Sequence, residues 1–400
     1  MLEESKNDEG FCTLPQFNYT CPMTDYIPTS QIYIPPGMID LGAGDPDFAL
    51  LPIDMLRRAT EACFARNNPA FLQYGTEQGD GYFRMALGDF LSRGYGFPVD
   101  PDTLFVTNGI SNALDMICAH FTRPGDTIFV EEPTYFLALR IFADHELRII
   151  PIRTDENGLV IEDLEEKLAR IQPMFLYTVP TFQNPGGFTL SQGRRDKLVE
   201  QSQEHDFLIV ADEVYHFLNY SDQQIKPFAA YTDLETVISL SSFSKILAPG
   251  LRLGWMQAHP NNIKRLTSSG LLDSGGGLNP FTSAIVRELI EVGDLEKNIA
   301  GLIVTYRSRL VVMDAALRRE LPQAIFKTPQ GGFFFWVRLP GVDTIQLRDE
   351  ARAFNVGFRQ GSLFSSRGDM PDYIRLCYAF YDEENIEDGI QRLRQCLEAV

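Results

Sequence analysis

The chain has 400 residues, which exceeds the usual size of one domain, so two domains are expected. Its composition, with 44% hydrophobic and 22% charged residues, is typical of a globular protein with a large core. The formal net charge of -19 argues against nucleic-acid binding, because phosphate neutralisation requires an excess of lysine and arginine.

The N-terminal segment MLEESKNDEG is acidic and lacks an apolar centre, which argues against a signal peptide or a transit peptide. Residues 1–36 are polar and contain proline, and they predict an extended arm. Because no apolar run approaches the roughly 18 residues of a membrane span, a cytoplasmic protein is expected. The cysteines show no metal-binding spacing and are expected to be free thiols: Cys12, Cys21, Cys63, Cys118, Cys377 and Cys396.

From about residue 53, apolar runs of strand length alternate with amphipathic segments such as Asn112–Phe121, Ile161–Ile171 and Ser191–His205. This alternation is typical of an α/β domain with a mostly parallel sheet that helices cover on both faces. Seven strands are predicted: Leu104–Thr107, Thr127–Glu131, Leu147–Ile152, Met174–Val179, Phe207–Ala211, Val237–Ser241 and Leu253–Gln257.

A different pattern begins near residue 290 and predicts a smaller α+β domain. It contains a long helix over Leu295–Glu320, an apolar strand within Gly331–Pro340, and then helix Thr344–Phe354, strand Ile374–Tyr378 and helix Glu384–Glu398. The predicted boundaries are residues 53–292 for the large domain and 293–400 for the small one. Residues 1–52 would form the arm and part of the small domain.

Lys245 follows the predicted strand Val237–Ser241 in the segment SSFSK. Ligands of α/β sheets bind at the carboxyl ends of the strands, and a desolvated lysine there can form an imine with an aldehyde. Ser242 and Arg252 flank it at a spacing suited to a phosphate group. A surface lysine after a serine-rich loop is the alternative, which this motif alone does not exclude.

Asp212 ends the apolar run IVAD, and Tyr215 follows it three residues later. The carboxylate is suited to a protonated pyridine nitrogen, where it would strengthen pyridoxal 5'-phosphate (PLP) as an electron sink. The phenol of Tyr215 would donate a hydrogen bond to the phenolic oxygen of that ring. The alternative is an aspartate that caps the start of a short helix.

Three further strand ends carry suitable groups. Asn184 in QNPGG is a second candidate donor to the phenolic oxygen, and Tyr135 is placed to stack on a flat ring. The turn Gly109, Ile110 and Ser111 opens a helix whose backbone N–H groups would hold a phosphate. Turn, capping and core roles are the alternatives for each motif. Their occurrence together predicts a PLP site.

With these motifs, the chain resembles the class I/II aminotransferases of PLP fold type I, which are aspartate-aminotransferase-like, from about Leu41 to the C-terminus. The resemblance implies that Lys245 forms the Schiff base and shuttles protons, and that Asp212 and Tyr215 complete the catalytic set. It also implies cofactor contacts from the residues at the other strand ends: Gly109, Ile110, Ser111, Tyr135, Asn184, Ser242 and Arg252.

Three residues enter only through the resemblance. Arg375 in YIRLCYAF matches the arginine that binds the substrate α-carboxylate, and Gly44 in LGAGDPD matches the glycine beside it, with Asn184 also near the substrate. Tyr74 matches the tyrosine that reaches the phosphate of the neighbouring subunit, which implies a homodimer with shared active sites. A strand arginine that extends to the surface and a turn aromatic are the alternatives for Arg375 and Tyr74.

Two segments depart from the family. Gln360–Gly361 stands where the family usually has Pro-Gly, and Ser274–Asn279 is unusually rich in glycine. In the family this glycine-rich segment often faces the neighbouring active site, yet it offers no arginine for a second substrate carboxylate. A preference for aspartate or glutamate is therefore not supported.

The expected activity is the transfer of an amino group between an amino acid and a 2-oxo acid through PLP on Lys245. A PLP lyase or synthase, such as a C–S lyase or an aminocyclopropane-carboxylate-synthase-like enzyme, is the alternative and shares every cofactor residue. A ligand-sensing domain of a transcription regulator is a further alternative. It would need a DNA-binding helix-turn-helix, for which the N-terminal segment is too short and too acidic.

Overall fold

Residues 30–399 are described by the computed structural model. Within the chain, Pro36–Val400 forms one compact unit. Most of the predicted arm, together with Cys12 and Cys21, lies outside the described residues. The strands are β1 (Ile39–Asp40), β2 (Leu104–Thr107), β3 (Thr127–Glu132), β4 (Arg148–Asp155), β5 (Gly158–Leu159), β6 (Phe175–Thr178), β7 (Leu208–Asp212), β8 (Val237–Ser242), β9 (Gly254–Ala258), β10 (Phe334–Arg338), β11 (Val356–Gly357), β12 (Arg359–Gln360) and β13 (Tyr373–Cys377).

An eight-stranded sheet in the order β2-β9-β8-β7-β6-β3-β4-β5 forms the centre of the unit. All seven predicted strands are present, and the two-residue β5 adds an edge strand. The pairings among β4, β3, β6, β7 and β8 are parallel, whereas those of β9 with β2 and β8 and of β5 with β4 are antiparallel. Every residue of β2, β6, β8 and β9 is buried, which explains their nearly continuous apolar sequences.

Helices cover the sheet on both sides, and their observed ends lie within a few residues of the predicted ones. The predicted helix Thr344–Phe354 ends earlier, at Ala351, and a short 3₁₀ turn continues it. The α-helices are α1 (Ile53–Ala65), α2 (Gly81–Tyr95), α3 (Ile110–Phe121), α4 (Phe136–Asp144), α5 (Ile161–Leu168), α6 (Gln192–Glu204), α7 (Pro260–Thr267), α8 (Gly270–Gly275), α9 (Pro280–Glu291), α10 (Asp294–Glu320), α11 (Thr344–Ala351) and α12 (Glu383–Ala399).

A smaller, three-stranded sheet in the order β10-β13-β12 belongs to the C-terminal part of the chain. The segment before the large sheet joins this part, because β1 pairs in parallel with β11. Such a pairing fits the predicted inclusion of the N-terminal segment in the smaller domain. The domain boundaries at residues 52 and 292 stay predictions.

Four of the predicted free thiols are buried and unpaired: Cys63, Cys118, Cys377 and Cys396. Among residues 30–399, none of the helices combines the length and the apolar character that crossing a membrane requires. In the same range, the His, Cys, Asp and Glu side chains form no group of three that is arranged to hold a metal ion.

Candidate active site

The carboxyl ends of five strands meet at one edge of the central sheet. β3, β6, β7 and β8 are mutually parallel, and β2 runs in the same direction because β9 is antiparallel to both β2 and β8. Thr107 and Ser242 both pair with Gly254, and Asp212 pairs with Leu240. The register therefore brings the predicted strand-end motifs to one crevice, where α/β sheets bind ligands.

The start of α3 forms an anion cradle with Arg252. The N-cap residue Gly109 has a φ of 88°, and no side chain caps the helix, so its first N–H groups are free for a ligand. A Cβ atom on Gly109 would lie 3.0 Å from Nη2 of Arg252, which explains the glycine. Arg252 donates only to carbonyl oxygens, those of Asn108 and Pro249 at 3.1 Å each, and makes no ion pair within the described chain.

Ser242 lies beside this cradle, and its hydroxyl donates to the carbonyl oxygen of Leu253 at 3.0 Å. It also accepts from the backbone N–H of Ser244 at 3.1 Å, and the two serine Oγ atoms are 2.8 Å apart. The side-chain amide of Asn279 donates to the carbonyl oxygen of Arg252 and fixes that residue from the other side. Ser244 and Asn279 were not singled out in the sequence.

Lys245 points into the crevice and donates from Nζ to the carbonyl oxygen of Gly44 at 2.8 Å. Burial lowers the pKa of Lys245, and the positive charge of Arg375 lowers it further, whereas Asp45, Cys377 and Asp212 oppose this shift. A lysine whose amine gives up its proton readily is suited to imine formation. The alternative of a surface lysine is wrong.

Asp212 is 3% exposed and accepts hydrogen bonds from Tyr177 Oη at 2.9 Å and from the N–H of Val214 at 3.3 Å. Burial raises the pKa of Asp212 to about 7, against the opposing effect of the Tyr177 hydrogen bond. A cationic N–H partner would reverse this shift, and the carboxylate has acceptor capacity left for one. A turn rather than a helix follows Asp212, so the helix-cap alternative is wrong.

Two aromatic residues flank this carboxylate. Tyr215 is 3% exposed and packs on the rings of Phe333 and Phe334, with centroids 5.5 and 5.9 Å away. Burial raises the pKa of Tyr135 to about 12, and the nearby charge of Asp212 adds to the shift. Burial likewise raises the pKa of Tyr215. Both hydroxyl groups therefore stay protonated near neutral pH and remain available as hydrogen-bond donors.

Arg375 is only 3% exposed, so the alternative of an arginine that extends to the surface is wrong. It donates to Oδ1 of Asn184 at 3.0 Å and to the carbonyl oxygen of Gly42 at 2.8 Å, while its Nε has no partner among the described residues. Its guanidinium carbon lies 4.1 Å from the ring centroid of Phe334. Burial lowers the pKa of Arg375 to about 10, which indicates a cation that lacks an anion.

Gly44 lies between the two predicted poles of the site. Its carbonyl oxygen accepts from Lys245, and a Cβ atom on it would lie 3.1 Å from Nη2 of Arg375. Asp45 follows directly and forms no hydrogen bond or ion pair within residues 30–399, although its charge is the strongest one acting on the pKa of Lys245.

Neither Asp45 nor Tyr177 was singled out in the sequence. Asp45 was visible there as the acidic residue directly after Gly44. Tyr177 gave no signal of its own, because it lies within the apolar run of β6 and has the sequence surroundings of an ordinary core residue.

Tyr74 is the one predicted site residue that the described chain does not bring to the crevice. Its side chain is 82% exposed. Gly75 pairs with Gly277, and a Cβ atom on Gly276 would lie 3.0 Å from that of Tyr74. A Cβ atom on Gly277 would collide with Thr76, which accounts for the glycine-rich departure from the family pattern.

The largest open cleft lies elsewhere. Its volume is about 520 Å³, and its walls include Thr154, Gln223, Trp336 and Tyr373 but neither Lys245 nor Asp212. The convergence of incompletely paired polar groups, rather than cavity size, therefore identifies the candidate site.

Comparisons with known proteins agree with this placement. Residues 36–393 match the family described as Aminotransferase class I and II. Aromatic-amino-acid aminotransferase 1 of Thermococcus litoralis is 36% identical over 369 residues, which are 90% of this chain and 88% of that protein. The multiple substrate aminotransferase of Thermococcus profundus superposes with a TM-score of 0.86 at 34% identity, over 90% of this chain and 91% of that one. Kynurenine aminotransferase of Pyrococcus horikoshii, solved with PMP, gives a TM-score of 0.85 at 34% identity over the same shares.

Proposed function

Because the chain belongs to the class I and II aminotransferases and moves an amino group between an amino acid and a 2-oxo acid, we propose that PLP is bound covalently to Lys245. The fold is that of fold type I, as the sequence predicted. The lyase or synthase alternative has no support from these relatives. The observation that carries the proposal is the hydrogen bond of the Lys245 amine to Gly44, which holds it between Asp212 and Arg375.

The residues present fit the cofactor at each of its ends. Arg252, which lacks an anionic partner, and the uncapped start of α3 would hold the phosphate. Asp212 would bind the ring nitrogen, and Tyr135 would stack on the ring. Tyr215 and Asn184 would bind the phenolic oxygen. When bound there, PLP supplies an electron sink for the substrate α-carbon.

The chain's own residues position the substrate and move its proton. Arg375 would bind the substrate α-carboxylate, which provides the anion that the buried guanidinium lacks. Asn184 orients Arg375 through Oδ1. The free amine of Lys245 would take the proton from the α-carbon and return it to the cofactor side, because its lowered pKa suits a general base.

The proposed amino donors are large neutral amino acids, aromatic ones above all. The rings of Phe334 and Phe364 lie 4.1 and 5.0 Å from the guanidinium carbon of Arg375, so they offer an apolar surface beside the bound carboxylate. The negative charge of Asp45 disfavours a further substrate carboxylate nearby. The names of the relatives from Thermococcus litoralis and Pyrococcus horikoshii, which refer to aromatic amino acids and kynurenine, point the same way.

The proposal includes a cytoplasmic homodimer in which Tyr74 reaches the phosphate of the partner subunit. Support comes from the exposed apolar side chains around Tyr74, which a second copy of the chain would cover. They are Phe64, Leu72, Tyr82, Met85, Leu271 and Phe281. Sedimentation should give twice the chain mass, and Tyr74→Phe should weaken PLP binding without dissociating the dimer.

The test is a half-reaction in which the purified, PLP-loaded enzyme is mixed with one amino acid at a time and no 2-oxo acid. We expect the PLP absorbance to convert to that of the pyridoxamine form, with one 2-oxo acid released per chain, fastest for aromatic donors. Release of ammonia or of a cleaved side chain with an unconverted cofactor would contradict transamination. Faster conversion by glutamate than by phenylalanine would contradict only the proposed donor class.

A further inference from the structure

Two consecutive glutamates, Glu131 and Glu132, end β3 directly before the turn that carries Tyr135. They are 0% and 5% exposed, and neither forms an ion pair within residues 30–399. Successive side chains of a strand point to opposite faces of the sheet, so the two carboxylates contact different loops. A buried carboxylate is costly unless several donors solvate it, and the donors of Glu132 come from the other end of the chain.

The carboxylate of Glu132 is solvated by Ser365 and Ser366. It accepts from the backbone N–H of Ser366 at 3.1 Å and from its hydroxyl at 3.0 Å, and also from the hydroxyl of Ser365. Two residues after Glu132, the N–H of Thr134 donates to the carbonyl oxygen of Phe364 at 2.9 Å. Side chain and main chain thus tie the loop before Tyr135 to the loop of residues 364–366.

The loop of residues 364–366 supports the substrate end of the site. The Phe364 ring lies 5.0 Å from the guanidinium carbon of Arg375, and it forms edge contacts with Phe136 and Trp336 at 5.2 and 5.5 Å. Among the described residues, Glu132 therefore provides the charged group that ties the Tyr135 turn to the ring beside Arg375. A shift of this tie would alter the spacing between the stacking tyrosine and the carboxylate-binding arginine.

Glu131 serves a different loop with a similar set of donors. It accepts from the hydroxyl of Thr178, the N–H of Val179 and the side-chain amide of Gln183 at 2.5, 3.0 and 3.1 Å. Gln183 in turn accepts from the N–H of Gly186 at 2.6 Å and so holds the turn that presents Asn184. Within the described residues, Glu132 is thus the member of the pair that connects to the C-terminal part of the chain.

We propose that Glu132 is a positioning residue for transamination, which sets the distance between the cofactor-stacking Tyr135 and the substrate-binding Arg375. The inference rests on the proposed function, because it assumes that these two residues contact cofactor and substrate. Glu132 touches neither reactant itself. Its effect should therefore fall on the placement of the amino acid and not on attachment of PLP to Lys245.

The first variant is Glu132→Gln in the PLP-loaded enzyme. Glutamine keeps the volume but loses one strong acceptor and directs N–H groups at donors, so the loops should separate slightly. Because hydrogen bonds to a buried charge are among the stronger ones, we expect KM for the amino donor to rise about tenfold or more, with a smaller fall in kcat. The PLP absorbance and its pH dependence should match those of the wild type.

Glu213→Gln is the matched control, since Glu213 is also buried and accepts from two backbone N–H groups and one serine hydroxyl: those of Phe228, Ala229 and Ser239. It connects no loop of the substrate end within the described chain. We expect a lower Tm with KM unchanged. A rise in KM of equal size in both variants would overturn the inference, because it would indicate a general loss of packing.

Ser366→Ala is the other informative variant and decides the matter if Glu132→Gln does not yield folded enzyme. It preserves the carboxylate and removes one hydroxyl donor, so KM should rise by roughly threefold. In the double variant the two effects should be clearly less than multiplicative. Unchanged KM in folded Ser366→Ala, or strictly multiplicative effects, would overturn the inference. If the wild type shows no PLP absorbance and no transamination, the proposed function itself fails; if it transaminates and the variants keep its KM, only the role of Glu132 fails.

Discussion

Two buried clusters of charge lie near each other in the large sheet and differ in how their polar atoms are paired. In the first, Arg195 is 1% exposed and donates to the carbonyl oxygens of Leu190, Pro180 and Lys226 and to the hydroxyl of Thr181. Its Nη1 lies 3.8 Å from Glu213, whose carboxylate accepts three further hydrogen bonds. Almost every donor and acceptor of this cluster is used.

The other cluster consists of Asp212, Lys245 and Arg375. Asp212 directly precedes Glu213 in the chain but points the other way, and its one strong donor is Tyr177. Arg375 is nearly as buried as Arg195, yet its Nε is unpaired and no carboxylate contacts it within the described residues. Buried groups are normally fully hydrogen-bonded. The difference therefore separates a cluster that supports the fold from one arranged for a ligand.

Loss of the reactive amine should give the largest effect in the ligand-binding cluster. Lys245→Ala should reduce the single-turnover rate at least about 1000-fold, because no other group in the described chain is placed to take the α-proton at that position. The Tm should change little, since only the bond to Gly44 is lost. Lys264→Ala, on an exposed position of α7, is the control and should keep full activity. Substantial residual turnover in Lys245→Ala would contradict the assignment.

The cluster of Arg195 and Glu213 should respond in the opposite sense. Arg195→Leu leaves Glu213 buried beside an apolar side chain, so the free energy of unfolding should fall by about 3–5 kcal/mol. The folded fraction should transaminate at nearly the wild-type kcat. Its neighbour Arg194, which pairs with Asp155 at the surface, gives the control: Arg194→Leu should cost only about 1 kcal/mol. Denaturant unfolding and kcat, measured on the same samples, distinguish the two outcomes.

The pairing of Asp212 predicts a pH effect in the cofactor-free protein. Burial raises the pKa of Asp212 from 3.8 to about 7, so the folded state retains a proton that the unfolded state releases. Stability from this group is therefore complete below about pH 4 and declines as the pH rises to about 7, by up to about 4 kcal/mol. Asp212→Asn should remove that decline. Parallel pH profiles of unfolding for both proteins would refute the raised pKa.

Substitution of the incompletely paired arginine should weaken substrate binding. Arg375→Lys keeps the charge but loses the planar fork, so kcat/KM should fall roughly 10- to 100-fold, mainly through KM. Steady-state kinetics with an aromatic donor provide the measurement. Arg359→Lys, in the neighbouring pair with Asp40, should have a smaller effect. The reverse order would mean that Arg375 is a structural residue like Arg195.

The smallest effect is expected at Asp45, which borders the ligand-binding cluster without a partner among residues 30–399. Asp45→Asn removes a negative charge beside the substrate position, so kcat/KM for glutamate should rise a few-fold relative to phenylalanine. Asp54→Asn, on the exposed first turn of α1, should leave this ratio unchanged. An unchanged ratio in Asp45→Asn as well would show that Asp45 has no part in donor choice.

The sequence predicted the fold and the cofactor side of the site well, because both have local signals. Continuous apolar runs marked the strands, and Lys245, Asp212 and Asn184 each stand at or shortly after the end of one. The edge strand β5 escaped prediction, since two residues carry no periodicity.

Groups that act through distant contacts had no such signal. Lys245 and Gly44 are 201 positions apart, and Glu132 and Ser365 are 233 apart. Tyr177 resembled any core residue of β6, although its hydroxyl binds Asp212. A single sequence shows which residues follow strands but not which polar atoms remain unpaired, and that pairing distinguishes Arg375 from Arg195.

The most direct test of the central claim is to reduce the PLP-loaded enzyme with borohydride, which converts the C=N bond of an imine to a stable secondary amine, and to map the modified peptide by mass spectrometry. We expect one phosphopyridoxyl group per chain, located on Lys245, and none when a saturating aromatic amino acid is added first. Modification of another lysine, or of none while the enzyme still transaminates, would contradict the claim.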